Sequence, residues 1–123
     1  MVKRRLASYT EEFRQQHPDV VAAEEERVRL NEPHAYAAAA RAVARYDFTE
    51  ELRSVDLPVL IIQGLDDKQT PPGGSVIMSR AIPGARLEML ESCGHSPMVD
   101  QPRRFLELVL GFVHEIDAKA GAK

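Results

Sequence analysis

The chain has 123 residues, of which 44% are hydrophobic and 28% charged, with a formal net charge of -3 and a pI near 5.8. A chain of this length builds one core, burying about two-thirds of its unfolded surface, which excludes a large two-part enzyme. With 16 Lys and Arg against 19 Asp and Glu there is no cationic footprint for nucleic acid, and Lys3-Arg4-Arg5 reads as a solvated start.

No apolar run reaches the roughly 18 to 20 residues of a membrane span, and the basic amino terminus lacks the apolar segment of a signal peptide. A cytoplasmic protein without membrane partners is expected. The single cysteine, Cys93, has no disulfide partner in the chain. His17, His34, His95 and His114 show no metal-ligand spacing, so neither metal nor cofactor is expected.

In chain order, residues 1–50 read as a helical, cap-like segment and residues 51–123 as a βαβα unit. Helices are predicted over 9–16, 19–30 and 33–46, with Pro18 and Pro33 in first-turn positions where a missing N–H costs nothing. The Glu24-Glu25-Glu26 run marks a solvated face, whereas Tyr36, Ala40, Val43 and Tyr46 recur at helical spacing and form a packing face. A strand follows over 57–64, nearly continuous in aliphatic residues and ended by Gly64, the pattern of a strand buried on both faces. Residues 66–74 are turn-rich. A helix is predicted over 75–82, capped by the Ser75 hydroxyl and ended by Pro83-Gly84.

The second strand, 86–90, follows a connection long enough for a right-handed crossover, which makes the two strands parallel. The last helix begins after an N-cap in Asp100-Gln101-Pro102 and runs to about Ala118, with Phe105, Val109, Phe112, Val113 and Ile116 as its apolar stripe and the tail AKAGAK frayed. Two parallel strands leave two unpaired edges and apolar faces that need cover. A homo-oligomer or a complementing chain is therefore expected.

Ligands of open α/β sheets sit beyond the carboxyl ends of the strands. Both clusters of reactive residues fall there: Gly64-Leu65-Asp66-Asp67-Lys68-Gln69-Thr70-Pro71 and Glu91-Ser92-Cys93-Gly94-His95-Ser96-Pro97. Parallel neighbours bring the two loops together, so Asp67 can receive the Nδ1 proton of His95, the pairing that lets an imidazole take a proton from a hydroxyl nucleophile. On residue types alone a second reading stands beside it, because Asp after a strand also serves as a turn residue bonded to its own backbone. Ser75 reads as a helix cap rather than a nucleophile, Cys93 as a buried structural thiol, and Met98 as core filling or a pocket wall.

The motifs are more specific together than singly. DLPVLIIQGLDDKQTPP (56–72) holds G-x-x-D-x-x-x-P, and IPGARLEMLESCGHSPMVDQPRRF (82–105) holds I-P-x-A-R-L, G-H-x-P and Q-P-x-x-F. This stretch resembles the carboxyl-terminal third of α/β-hydrolase-fold enzymes, and YAAAARAVARYDFTEELRSV (36–55) is similar to the last cap helix and linker of esterase and enol-lactonase-like members. The resemblance implies a partial α/β-hydrolase fold, with Asp67 as triad acid and His95 as base. Gly64 and Pro71 set the register that favours Asp67 over Asp66. It further implies an ester or lactone substrate, provided an amino-terminal half completes the site. The family's nucleophile lies in a G-x-S-x-G elbow. None of Ser8, Ser54, Ser75, Ser79, Ser92 and Ser96 has glycines at both flanking offsets, so the 123 residues contain no such nucleophile and little activity of their own is expected. The alternative is a noncatalytic oligomerisation or interaction module built on the same fold.

Overall fold

A computed structural model describes residues 8–121. Lys3-Arg4-Arg5 and the last two residues of the tail lie outside the described residues. The elements are α1 (Glu11–Gln16), α2 (Pro18–Arg29), α3 (Pro33–Val43), a 3-10 turn (Glu51–Ser54), β1 (Leu60–Gly64), α4 (Gly73–Ala81), β2 (Arg86–Leu90), α5 (Pro97–Asp100) and α6 (Pro102–Gly121).

Amino-terminal chemistry sets the helix starts. The Thr10 hydroxyl accepts from the Phe13 N–H at 3.1 Å, Pro18 and Pro33 occupy first-turn positions, and the Glu32 carboxylate accepts from His34 and Ala35 N–H. Three expectations for this segment are corrected. Glu24 is buried and pairs with Arg27 at 2.9 Å, so the acidic run is not wholly a solvated face. Helix α3 stops at Val43 rather than Tyr46, because Arg45 and Tyr46 donate to Ala42 and Val43 in tightened turns. Its predicted packing face is open: Tyr36, Val43 and Tyr46 are all exposed.

The two strands are parallel, paired from Leu60 with Arg86 to Gly64 with Leu90, as expected for a crossover connection. Strand β1 starts at Leu60 rather than Leu57. Leu57 is exposed, and Pro58 has no N–H for a ladder. Alternation along the strands places Leu60, Ile62 and Leu90 on one face, where they meet Leu108 of α6 and the fully buried Cys93. The other face carries Gln63, which is bonded to Ser75 of α4. The two helices thus cover opposite faces.

Helix α4 starts at Gly73, two residues earlier than predicted, because Pro71 and Pro72 preset the turn and their carbonyls accept from Gly74 and Val76. Ser75 is therefore inside the helix and buried, and its hydroxyl caps nothing. Gly84 has a φ of +71°, the left-handed conformation that lets the chain reverse into β2. Helix α6 starts at Pro102 as predicted but extends through Gly121, so the described part of the tail is helical. Its inward stripe is Phe105, Leu108, Val109, Phe112 and Ile116; Val113, although it keeps the 3-4 spacing with Val109 and Ile116, lies on the exposed flank of the stripe, and Leu108 on the opposite flank is the one that is buried. The short helix α5 was not expected, and Asp100 lies at its end, turned back toward Gly94 rather than capping α6.

Gly64 is where β1 and the second loop touch. A Cβ there would lie 2.2 Å from the Gly94 carbonyl oxygen and 2.3 Å from that of Cys93, both rigid backbone atoms. Gly64→Ala is expected to destabilise the fold by about 3 kcal/mol, at or above the usual range for overpacking. Gly73→Ala, where a Cβ meets nothing within 4 Å, is expected to stay within about 0.5 kcal/mol or stabilise slightly. Paired urea titrations measure both.

Candidate active site

The two strand-end loops are held together by backbone bonds before any side chain acts. Leu65 N–H donates to Leu90 O at 2.9 Å and Asp66 N–H to Cys93 O at 2.9 Å. The second loop is also tied to the amino-terminal segment: His95 N–H donates to Ser8 O at 2.8 Å, and the Ser8 hydroxyl donates to Gln69 Oε1 at 3.0 Å. Asp100 Oδ2 accepts from the Gly94 N–H at 2.7 Å and also bonds the Thr10 N–H, fixing the residue before the histidine. The Gln101 side chain donates to the carbonyls of Glu91 and Ser92, and Ser92 carries the sole non-glycine positive φ among the described residues, +51°. This is the local strain that turns the chain from β2 into the loop.

On this scaffold Asp67 Oδ2 and His95 Nδ1 are 2.8 Å apart. The Asp67 side chain is 3% exposed and that of His95 31% exposed, so the acid is enclosed and the ring reaches the surface. Asp67 Oδ1 accepts from the N–H groups of Gln69 at 2.8 Å and Thr70 at 2.9 Å. The Thr70 hydroxyl donates to Oδ2 at 2.7 Å and lies 3.0 Å from His95 Nδ1. Gln63 Nε2 donates to Oδ2 at 3.3 Å. Asp67 is at once the backbone-bonded turn residue and the partner of the histidine, so the two sequence readings describe one side chain in both roles. Asp66 makes only its backbone bond to Cys93, and its side chain takes no part in the pair.

Burial by itself would raise the Asp67 pKa, but the Thr70 N–H, His95, the Thr70 hydroxyl and the Gln69 N–H together outweigh it and bring it from the usual 3.8 to about 2. Asp67 is accordingly a carboxylate throughout the neutral range. Its two oxygens differ in use: Oδ1 faces the backbone of its own turn, and Oδ2 faces the imidazole. With Nδ1 occupied, Nε2 is the ring nitrogen left to exchange a proton with a third group; no described residue is hydrogen-bonded to it.

Other candidates separate from the pair. Cys93 is fully buried, and burial followed by the charges of Asp100, Asp66 and Asp67 pushes its thiol up to about 11, so it is a packed thiol rather than a nucleophile. Ser75 donates to Gln63 Oε1 at 2.5 Å. Met98 is exposed on α5, three residues after His95. Sequence reasoning missed Thr70, taken only as a turn residue, and Gln63. A polar side chain inside an apolar strand was the available signal for Gln63, since such a group needs partners once buried. Among the described residues no group of three His, Cys, Asp or Glu side chains is placed to hold a metal ion, and no helix is long and apolar enough to cross a membrane.

Comparison with solved structures identifies the fold. The enol-lactonase of Burkholderia xenovorans LB400 superimposes with a TM-score of 0.83 at 22% identity, over 92% of this chain and 44% of that one. A hydrolase of Pseudomonas aeruginosa PA01 gives 0.77 at 26% identity, over 88% and 41%. The chain carries part of an α/β-hydrolase fold. No family model matches the sequence of this α/β-hydrolase portion. Curated relatives include monoacylglycerol lipase ABHD6 of Mus musculus, 33% identical over 62% of this chain and 24% of the relative. The pimeloyl-[acyl-carrier protein] methyl ester esterase of Nitrosomonas europaea is 40% identical over 49% and 24%, and the 3-oxoadipate enol-lactonase 1 of Acinetobacter baylyi 35% identical over 66% and 30%. The α/β-hydrolase portion is thus related to lipases, esterases and enol-lactonases, and it spans less than a third of the length of these relatives.

The lowered pKa of Asp67 fixes the sign of an acid dependence. A carboxyl whose folded pKa lies below its unfolded value contributes stability above the unfolded pKa, and that contribution is lost as pH falls through the folded one. From 3.8 to about 2 this amounts to about 2 kcal/mol, lost between pH 4 and 2. Asp67→Asn is expected to flatten that limb of a plot of unfolding temperature against pH.

Proposed function

We propose that this chain supplies the acid and base of a serine ester or lactone hydrolase, and that its attacking hydroxyl belongs to an amino-terminal half carrying a G-x-S-x-G elbow. The observation that carries the reading is the 2.8 Å bond between a buried carboxylate and a surface-reaching imidazole at the carboxyl ends of adjacent parallel strands. The lipase, esterase and lactonase relatives support the reaction class, and the cytoplasm is its expected setting.

In this mechanism the Asp67 carboxylate keeps His95 in the tautomer with hydrogen on Nδ1. Nε2 takes the proton of the serine hydroxyl as that oxygen adds to the acyl carbon, and the resulting imidazolium is stabilised by Asp67. Because the Asp67 pKa is held near 2, the carboxylate stays ionised while the imidazole carries the charge. Nε2 then returns the proton to the leaving oxygen. Water, deprotonated the same way, completes the hydrolysis. Donors for the oxyanion come with the elbow and an earlier loop of the same half. Met98, exposed three residues after His95, is the residue assigned to border the substrate.

The isolated chain is expected to hydrolyse p-nitrophenyl acetate no faster than His95→Ala, since loss of the nucleophile in such enzymes removes on the order of 10⁶ in turnover. Combined with an amino-terminal half bearing the elbow serine, turnover should appear, and His95→Ala should lower it by at least about 10⁴. Turnover by the isolated chain that disappears in His95→Ala would refute the division of labour.

A second reading, a noncatalytic assembly module, is favoured by a different observation. Ile77 and Met78 on α4, Leu106, Leu110 and Val113 on α6, and Met89 of β2 are all exposed beside a sheet of two strands. Either function needs a partner, which is another copy in one case and the complementing half in the other. Sedimentation velocity on the purified chain is expected to show a dimer or larger species that dissociates when the complementing half is added. A stable monomer with cooperative unfolding would count against the assembly reading.

A further inference from the structure

The geometry points to Gln63 as the positioning residue of the acid, with Ser75 setting the orientation of its amide; this rests on the proposed pairing of Asp67 with His95. The Gln63 side chain is buried at the end of β1, and its Nε2 faces three acceptors: Gly64 O at 2.8 Å, Asp67 Oδ2 at 3.3 Å and Thr70 O at 3.4 Å. On its other side Oε1 accepts from the Ser75 hydroxyl at 2.5 Å. One neutral amide therefore joins the strand end, the carboxylate, the far side of the acid turn and helix α4.

The orientation of that amide is decided by its surroundings. Rotated by half a turn, the carbonyl oxygen would face the two backbone carbonyls and a carboxylate, an arrangement of acceptors alone. Ser75, as a hydroxyl donor, satisfies Oε1 in the observed orientation and thereby commits the NH₂ group to Asp67 and the turn. The turn is closed from both sides: Gln69 and Thr70 N–H hold Oδ1, while Gln63 holds Oδ2 and the Thr70 carbonyl. This leaves Oδ2 directed at His95 Nδ1. Being uncharged, Gln63 does this without competing with the imidazolium for the carboxylate, as a buried Lys or Arg would.

Ser75 is hydrogen-bonded to neither Asp67 nor His95, and the hydrogen-bonded route from its hydroxyl to the pair runs through Gln63. The test is NMR of the imidazole nitrogens and the Nδ1 proton in the ¹⁵N-histidine-labelled full chain, with His95 assigned by its loss in His95→Ala. Gln63→Leu and Ser75→Ala are each expected to speed solvent exchange of the His95 Nδ1 proton. Each should also displace the His95 ring-nitrogen chemical shifts toward those of Asp67→Asn. Ser75→Thr, which keeps the hydroxyl, should restore the wild-type signals. A merely structural role would lower the unfolding temperature and leave the His95 signals in place. Either variant, folded and with His95 unchanged, overturns the proposal, and Ser75→Ala provides the test if Gln63→Leu does not fold. If Asp67→Asn itself leaves His95 unchanged, the pairing fails and the inference with it, whereas a response to Asp67→Asn without one to Ser75→Ala removes the inference alone.

Discussion

The approach of Gly64 to the Cys93–Gly94 backbone is the constraint from which the site follows. A side chain at residue 64 would overlap two carbonyl oxygens, so the first strand end lies against the second loop only because residue 64 has none. That closeness lets Asp66 N–H reach Cys93 O and brings a turn beginning three residues after Gly64 against a histidine one residue after Gly94. Side-chain hydrogen bonds are short-range, and a shift of an ångström between the loops would leave the carboxylate and imidazole unpaired. The pairing is therefore a property of backbone packing first and of side-chain chemistry second.

Around the carboxylate the balance of opposing effects is equally specific. Enclosure would favour the neutral acid, and a single hydrogen bond would not reverse it. Two turn amides, a threonine hydroxyl and the imidazole together do, each through a hydrogen bond. Asp100 shows the contrast: burial raises its pKa against only two backbone bonds, from Gly94 and Thr10. Two aspartates, one in the turn after β1 and one at the end of α5, thus depart from their ordinary acidity in opposite directions, because one has a full set of donors and the other does not.

Much of this arrangement was legible in the sequence, for local reasons. The aliphatic run closed by Gly64 gave a strand, although Leu60, Ile61 and Ile62 are only half-buried rather than enclosed on both faces, the 65–85 connection gave parallel pairing, and the positions of Asp67 and His95 at two strand ends gave their meeting. What the sequence obscured depends on tertiary contacts. Ser75 looks like a cap because it follows two glycines, but Pro71 and Pro72 start the helix earlier and turn its hydroxyl inward. Glu24 looks solvated within an acidic run, yet its helix face is enclosed. Leu108 and Val113 are equally apolar on paper, and which one meets the sheet depends on a helix rotation that the other stripe residues do not distinguish by themselves.

The burial of Cys93 has a consequence for how the two loops can be observed. Its sulfur has no access to solvent and ionises only near pH 11, so alkylating reagents find neither a path to it nor an appreciable thiolate. Both conditions hold only while β1, the histidine loop and α6 stay docked. The rate at which this single thiol is captured in native buffer is then a clock for transient parting of the strand ends.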